Sequence, residues 1–566
     1  MNRVNISTSN SAIPPDARPI NDTLLTGDSL LGPVRRLTPA ETWVALQTPY
    51  QYQSLEPGCV RLVSFDEGTT ADDYLVINIQ NVLLCNATEL NSYGAVSYVW
   101  GEPDFTESVL CEGGKSHLKV TKRLLNILRA LNSSTRSSGE ADFEIFPKFW
   151  IDAISINQND VQERNHQVHQ MAQIYRRASL VHIFLGTLSL HPHECLKSEW
   201  FHRRWVVQEV MSARVAIAHC DNGTSLSWDK LIRQTKAYLP KTPLPVDFKG
   251  TESAARMVHE LSYLHDCDMI RPGILFLLLN FQHTQCKDPR DRLFAFFGVA
   301  DDLAPPAQTN SSGEVGFCDE VSEERQETTS AKIDCSIDYN LTTTELYTYF
   351  AEAVLRSSYP FDLLHCAGAF RDRKLINDLA VPSSLPTWVP DWRLPPLYSP
   401  LLNTIQFWSG KCTFPGSDAN PRLRYSKSGP FSKPDIQLHH NETQSRITVA
   451  GVRIGTVSAV LDSPPDPRWW HKVPYEYEKS GRKLDKFLGR VRVSVTTVSD
   501  QSRLGCAPPD VRTGDVVVCF AGGKTPFILR PFGQGIFQLI GDCFVWNFMD
   551  GEAFQYAPPL ERFIIA

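Results

Sequence analysis

The chain of 566 residues lacks paired cysteines, long apolar runs and an N-terminal targeting pattern. Its 14 cysteines are scattered singly, without a Cys-x-x-Cys pair, which argues against a disulfide framework. No apolar run reaches the roughly 18–20 residues that a membrane span requires. Residues 1–33 are polar and have no apolar core flanked by basic residues, as a signal peptide would. Together these absences predict a cytoplasmic protein without a membrane span.

The chain also lacks the features that would indicate nucleic-acid, nucleotide-phosphate or metal binding. The formal net charge is −7 at pH 7, which gives no electrostatic reason to expect nucleic acid as a partner. Residues 113–116 read Gly-Gly-Lys-Ser, but Val109 stands where a phosphate-binding loop requires glycine. The densest potential metal cluster, residues 191–195, contains Pro192, and its spacing suits no standard zinc site. We therefore predict no metal and no required cofactor.

Strand-like and helix-like segments alternate over the first half of the chain. Short apolar segments at 93–101, 149–156, 180–186 and 215–219 predict strands, and hairpins are expected around them. Helices are expected between the strands: one after an N-cap at Thr121, one opening with a capping box at Asp160 and Glu163, and one over 200–213. This order is typical of an α/β fold with a doubly wound parallel sheet.

The second half of the chain changes character. Helices are expected over 254–265, with Ser253 as N-cap, and over 273–282, 288–298 and 343–356. From residue 447 onward the segments are strand-like, which predicts a small antiparallel β unit. Residues 1–36 and 304–332 are polar and poor in aliphatics, so the first is predicted to be disordered and the second a flexible insertion. The predicted units are an α/β core over 45–300 and a mixed helical and β-rich region over 333–566.

Several blocks of the chain resemble the fungal heterokaryon-incompatibility (HET) domain. They lie at 93–103, 150–186, 200–220 and 288–298, and the tail over 514–552 resembles the C-terminal part of long HET proteins. One departure is Ser155, where the family more often has cysteine, so a nucleophilic thiol is not expected there. The resemblance implies a role in non-self recognition and programmed cell death when incompatible fungal hyphae fuse.

The HET domain in turn resembles TIR domains, more distantly. The segment Trp205-Val-Val-Gln-Glu209 is similar to the TIR helix pattern Trp-Cys-x-x-Glu, with Val206 in the place of the cysteine. In NAD-cleaving TIR domains that glutamate is catalytic, so the resemblance implies a TIR-like (flavodoxin-like) core, NAD as a possible substrate and Glu209 as the catalytic residue.

The chemistry of Glu209 allows two interpretations. Cleaving a nicotinamide–ribose bond passes through an oxocarbenium-like state, which a nearby carboxylate can stabilise. Trp205 lies one helical turn earlier, so its ring is predicted to share a face with Glu209 and to stack on the ligand. Alternatively, Glu209 forms a structural ion pair with Arg203, Arg204 or Arg177.

The other candidate binding residues follow the first two predicted strands. Ser97, Tyr98, Trp100 and Gly101 end the first strand and could shape a pocket for the ligand; the alternative is two core aromatics and a turn. Asp152, with Asn157 and Gln158 after it, could bind a ribose or could brace the loop and cap a helix. A third group is interpreted as a structural cap and ion pair: Asp288, Arg290 and Asp291.

Two mechanisms therefore remain open, beside the third alternative of an inactive or redeployed family member. In one, the α/β core cleaves NAD or a related nucleotide, with Glu209 essential. In the other, it makes no product and signals through homotypic contacts or through partner proteins.

Overall fold

The structure is a computed structural model that describes most of the chain after residue 47. The described ranges are 48–66, 74–84, 92–136, 147–239, 251–266, 272–304, 332–357, 360–371, 385–401, 434–441, 444–461, 489–523, 525–548, 552–556 and 558–566. The segment predicted to be disordered, 1–36, and nearly all of the predicted insertion, 304–332, lie outside these ranges.

The first half of the chain forms ten strands and six helices within the described residues. The strands are β1 (Thr48–Pro49), β2 (Cys59–Phe65), β3 (Val76–Leu83), β4 (Gly94–Tyr98), β5 (Glu107–Cys111), β6 (Ser116–Val120), β7 (Lys148–Trp150), β8 (Leu180–Phe184), β9 (Ala216–His219) and β10 (Ser225–Ser227). The helices are α1 (Lys122–Arg136), α2 (Asp152–Ser155), α3 (Val161–Arg177), α4 (Pro192–Cys195), α5 (Val206–Ser212) and α6 (Trp228–Tyr238).

These ten strands form one sheet with a parallel centre. Strands β7, β4, β8 and β9 lie side by side and are parallel, so their order along the chain is second, first, third, fourth. The antiparallel pairs β2–β3 and β5–β6 extend the sheet on the β7 side. The predicted α/β class with a parallel sheet and added hairpins is confirmed.

Helices cover both faces of the parallel strands, because alternate residues of β4 point to opposite sides. Val96 and Tyr98 pack with the apolar side of α1, whereas Ala95 packs with Met171 of α3 in the other core. Residue Ser97 lies between Val96 and Tyr98 in sequence, so its side chain points to the α3 side. This direction brings the Ser97 hydroxyl to the side chain of Glu209.

Two of the predicted elements are wrong in their extent. Residues 149–156 were expected to be one strand, but β7 ends at Trp150 and α2 begins at Asp152. The Ser155 hydroxyl accepts the backbone N–H of Ile151 at 3.1 Å, and such side-chain bonds compete with a strand ladder. Residues 200–213 were expected to be one helix, but a 3₁₀ turn (Glu199–His202) and α5 are separated by three residues.

The caps show which local predictions are accurate. Thr121 caps α1, since its Oγ1 accepts the N–H of Leu124 at 3.2 Å. Asp160 caps α3, but Glu163 turns away to other partners and closes no capping box. Ser253 lies inside its helix and donates to the carbonyl of His283, so its predicted N-cap role is wrong.

A helical segment follows the sheet. It comprises α7 (Thr251–Asp266), α8 (Ile274–Asn280), α9 (Asp291–Phe297), α10 (Thr343–Leu355) and α11 (Pro360–Ala369). Each of the described helices is too short or too polar to span a bilayer. One continuous apolar core runs from the α3 side of the sheet through α10 and α11 to Phe520 near the C-terminus.

The C-terminal region is a β unit, as predicted. Its described strands are β11 (Ile436–Asn441), β12 (Gln444–Leu461), β13 (Val491–Thr497), β14 (Ser502–Ala507), β15 (Val516–Phe520), β16 (Phe527–Gly533), β17 (Ile536–Asp542), β18 (Phe544–Val545) and β19 (Glu561–Ile565). The long strand β12 pairs with both β15 and β19, and β16 and β17 connect those two, so five strands close into a ring. Closure leaves these strands without a free edge.

Candidate functional site

The side chain of Glu209 lies inside the molecule, between α5 and the carboxyl end of β4. Helix α5 buries Val206 and Val207 in the core, and Glu209 follows within the same turn and is only 1% exposed. A carboxylate at this depth costs free energy unless its oxygens are bonded. Its partners therefore decide what it can do.

A directed chain of hydrogen bonds holds one oxygen of Glu209. The indole N–H of Trp200 donates to Ser97 Oγ at 2.7 Å, and the Ser97 hydroxyl donates to Glu209 Oε2. An indole can only donate, so the Ser97 proton must point to the carboxylate. This arrangement favours the ionised form of Glu209. Sequence reasoning missed Trp200, since nothing but its residue type marks it.

The other oxygen faces a cation. Arg203 Nη2 lies 3.8 Å from Glu209 Oε1, so the pair is an ion pair without a close hydrogen bond. Arg203 Nη1 donates instead to the carbonyl oxygen of Tyr98, the last residue of β4. Of the three arginines proposed as structural partners, the structure pairs Arg203 with Glu209.

These surroundings place the titration of Glu209 near neutrality. Burial raises its pKa to about 7, against the opposing effects of the Arg203 charge and the Ser97 hydrogen bond. The Asp152 carboxylate adds to the rise. A carboxyl group with such a pKa can exchange a proton at neutral pH or carry a charge that a reaction uses.

Asp152 belongs to the same electrostatic group. It begins α2, and its Oδ2 accepts the indole N–H of Trp100 at 2.9 Å while its Oδ1 accepts the N–H of Ala153 at 2.8 Å. Burial raises its pKa, and the Arg203 cation and these two bonds oppose the rise. The Asp152 carboxylate thus binds the first turn of α2 and belongs to the charge group as well.

The residues after Asp152 act as braces. Gln158 donates its amide N–H to the carbonyl oxygen of Asp152 at 3.2 Å. The Oδ1 atom of Asn157 accepts the N–H of Asn159 at 3.2 Å. Both contacts are within the loop, which matches the loop-bracing interpretation of these two amides.

The remaining candidates at the end of β4 have different surroundings. The Tyr98 ring is buried in the core on the α1 side, opposite Ser97, and it contributes to the site through its carbonyl. Trp100 packs partly buried against the same core. Gly101 is exposed with φ +74°, and a Cβ there would meet no atom within 4 Å, so the left-handed backbone explains the glycine.

Trp205 does not join Glu209. Its indole N–H donates to Asp291 Oδ2 at 3.1 Å, and the Tyr339 hydroxyl donates to Asp291 Oδ1 at 2.5 Å. The backbone N–H of Glu209 donates to the carbonyl of Trp205 at 3.2 Å, so the two residues lie one helical turn apart, but their polar side-chain groups have different partners. Burial raises the pKa of Asp291 to about 6, and both hydrogen bonds oppose the rise.

The start of α5 is anchored to the helical segment as well. Arg204 is fully buried and donates to the carbonyls of Arg292 and Phe281, each at 2.9 Å. Asp288 and Arg290 form a two-point ion pair with distances of 2.9 and 2.7 Å, in keeping with their structural interpretation. Tertiary contacts hold the helix that carries Glu209 in place, since only seven residues form it.

Comparison with known proteins identifies the α/β part. Residues 93–191 match the sequence profile of the family described as "Heterokaryon incompatibility protein (HET)". Residues 93–191 form a HET domain. The match includes Ser97 and Asp152 and ends before Trp200 and Glu209.

The C-terminal region has its own match. Residues 477–565 match the family "Het-6 beta-barrel domain". Within this range, the structure describes strands β13 to β19. The chain is also similar to "Heterokaryon incompatibility protein 6, OR allele" of Neurospora crassa, with 20% identity over 81% of this chain and 90% of the relative. No solved structure matches the chain. Both matches thus lie in one chain, and the alignment with that relative covers most of both sequences.

No metal centre is present among the described residues: they contain no group of three or more His, Cys, Asp and Glu side chains that could hold an ion.

Proposed function

We propose that the chain acts in heterokaryon incompatibility, in the cytoplasm of a fungus, and that its HET domain triggers or relays a cell-death response. The support is the combination of a HET domain with a Het-6 barrel, and the relative of that name aligned over nine-tenths of its length. A single apolar core connects the two regions, so a contact made by the barrel can reach the HET domain through packed side chains.

We further propose that the HET core is TIR-like and cleaves NAD. The order of its four parallel strands is that of the flavodoxin-like sheets, in which ligands bind where the strand order reverses. In this sheet the reversal lies between β4 and β8. Ser97, near the carboxyl end of β4, contacts Glu209, which supports that end of the sheet as the site of the proposed reaction.

The reaction assigned to this site breaks the bond between ribose C1′ and the nicotinamide nitrogen. The electron pair of that bond goes to the nitrogen, which loses its positive charge as nicotinamide leaves. The ionised Glu209 carboxylate stabilises the positive charge that develops at C1′. Water then adds to C1′ and releases one proton, which a carboxylate of pKa about 7 can accept.

The single observation that carries this proposal is the buried, hydrogen-bonded carboxylate with a pKa near neutrality. It is tested by nicotinamide release from NAD by the purified full-length protein and by Glu209→Gln. The amide keeps an acceptor for the Ser97 hydroxyl, so the fold is retained. Glu199→Gln removes an exposed carboxylate on the preceding turn and serves as the control. Release that is lost in Glu209→Gln and kept in Glu199→Gln supports catalysis; equal release by both variants refutes it.

A second candidate function is an assembly module without enzymatic activity. It is favoured by the 1% exposure of Glu209, which in this conformation keeps the carboxylate from any ligand. The loops after β4 and β8 also expose Phe105 and Leu188, which are 52% and 78% accessible. We expect Leu188→Ser to weaken self-association in sedimentation velocity if this function is correct, whereas unchanged association would exclude that loop.

A further inference from the structure

Among the described residues, Arg203 is the cation that acts on both the Glu209 and the Asp152 carboxylates. Its Nη2 is 3.8 Å from Glu209 Oε1, and the Asp152 carboxylate acts on the same guanidinium. Burial acts to lower the pKa of Arg203, but the combined effect of the surrounding acidic groups, with Glu209 and Asp152 the largest of them, raises it. When both carboxyl groups are ionised, the site holds two negative charges and one compensating positive charge from its own chain.

The Arg203 side chain is more exposed than the carboxylate with which it pairs. It is 22% exposed, whereas the Glu209 side chain is 1% exposed. Of the two partners of this ion pair, Arg203 is therefore the one that a ligand from solvent would meet first. Arg203 precedes α5 and has an extended backbone, with φ −74° and ψ 135°, so no helix backbone restrains its long side chain.

The neighbouring arginine shows how a purely structural guanidinium is held in this protein. Arg204 donates to two backbone carbonyls and to Thr284 Oγ1, and its guanidinium lies 4.2 Å from the centre of the Phe296 ring. In the described part of the chain, the Arg203 guanidinium has a single side-chain hydrogen bond, to the Tyr98 carbonyl. Arg203 is the more easily displaced of the two.

We propose that Arg203 is an internal occupant of a binding site for a planar organic cation, and that a ligand enters by displacing its guanidinium. The site offers such a ligand the Glu209 and Asp152 carboxylates for its charge and the Tyr98 carbonyl for an N–H donor. A pyridinium ring with a carboxamide has a planar positive charge and an N–H donor, as a guanidinium does. This inference rests on the proposed NAD cleavage for its choice of ligand, and it assigns to Arg203 the regulation of that site.

The test measures binding of three small probes to the full-length protein by calorimetry. N1-methylnicotinamide is a planar cation with an amide donor, N-methylpyridinium is a cation without the donor, and nicotinamide has the donor but no charge. We expect Arg203→Ala to bind N1-methylnicotinamide at least about tenfold more tightly than the other two probes and than wild type does, since each lost charge or hydrogen bond is worth about 1.4 kcal/mol or more. Arg214→Ala removes an exposed arginine after α5 and should bind like wild type.

Equal binding of the three probes, or none, by folded Arg203→Ala would overturn the inference. If Arg203→Ala does not fold, Arg203→Met, which fills the space of the side-chain stem without a charge or a donor for the Tyr98 carbonyl, is measured with the same probes and judged by the same outcomes. Adding Glu209→Gln to either variant should weaken the cation about tenfold.

These results are independent of turnover. Selective cation binding without nicotinamide release from NAD would keep this inference and refute the proposed catalysis. Nicotinamide release that depends on Glu209, without selective binding by the Arg203 variants, would support the proposed catalysis and refute this inference.

Discussion

Replacing Glu209 by glutamine should change how the stability of the protein depends on pH. Burial raises the pKa of Glu209 from its ordinary value of 4.5 to about 7 in the folded protein. The folded state therefore binds the proton more tightly than the unfolded chain does. Its contribution is fully present below pH 4.5 and is lost as pH rises through 7, so ionised Glu209 destabilises the fold at neutral and alkaline pH. Glutamine does not titrate and escapes this effect.

The size of the effect follows from the two pKa values. A shift from 4.5 to 7 corresponds to about 3 kcal/mol once the group is ionised in both states, at roughly 1.4 kcal/mol per pKa unit. Linkage predicts that about 1 kcal/mol of this is already lost at pH 5.5 and about 3 kcal/mol at pH 8. Between these two pH values, wild type should lose about 2 kcal/mol of stability relative to Glu209→Gln.

Urea unfolding of both proteins at pH 5.5 and pH 8, followed by fluorescence, measures this difference. We expect the free energy of unfolding of Glu209→Gln, relative to that of wild type, to increase as pH rises. That of Glu199→Gln should change with pH in the same way as wild type. A difference that does not change with pH would refute the reasoning about burial. If wild type instead becomes more stable relative to the variant as pH rises, the Arg203 charge outweighs burial and the Glu209 pKa is lowered.

Three further predictions concern buried contacts. Ser97→Ala leaves the Trp200 indole and Glu209 without their link, so urea unfolding should show a loss of about 2–4 kcal/mol. Glu163→Gln breaks the buried ion pair with Arg61 and should cost about 3–5 kcal/mol, whereas Glu194→Gln at an exposed pair should leave the unfolding midpoint unchanged. Gly541→Ala should prevent folding of the barrel, because its Cβ would overlap the Tyr398 hydroxyl at φ +144°; Gly514→Ala, at φ +93° with open space, should remain soluble and lose about 1 kcal/mol.

Local features of the sequence predicted two of the three proposed N-caps, and they failed at Ser253. Thr121 and Asp160 cap the helices that the sequence placed after them. The prediction was wrong at 149–156, where the apolar residues Ile151 and Ile154 are buried as expected but lie at a turn and a short helix. Apolar composition indicates burial, but it does not distinguish a strand from a helix over so few residues.

The candidate site shows the same division. Residue types after a strand, together with the resemblance to the HET and TIR families, directed attention to Ser97, Asp152 and Glu209. The contact between Ser97 and Glu209 joins residues 112 apart in sequence, and Trp200 joins them from a third element. No sequence periodicity reports such a contact, because it depends on how α5 packs across β4.

The sequence by itself determined the alternation of strands and helices, the β-rich C-terminal region and the family of the first domain, since these depend on residue patterns that repeat over short distances. Only the tertiary structure decided that the Trp205 indole binds Asp291, that Arg203 pairs with Glu209, and that burial raises the Glu209 pKa to about 7. Each of these depends on burial and on the distance between charges from separate elements, and both exist only after the elements have packed.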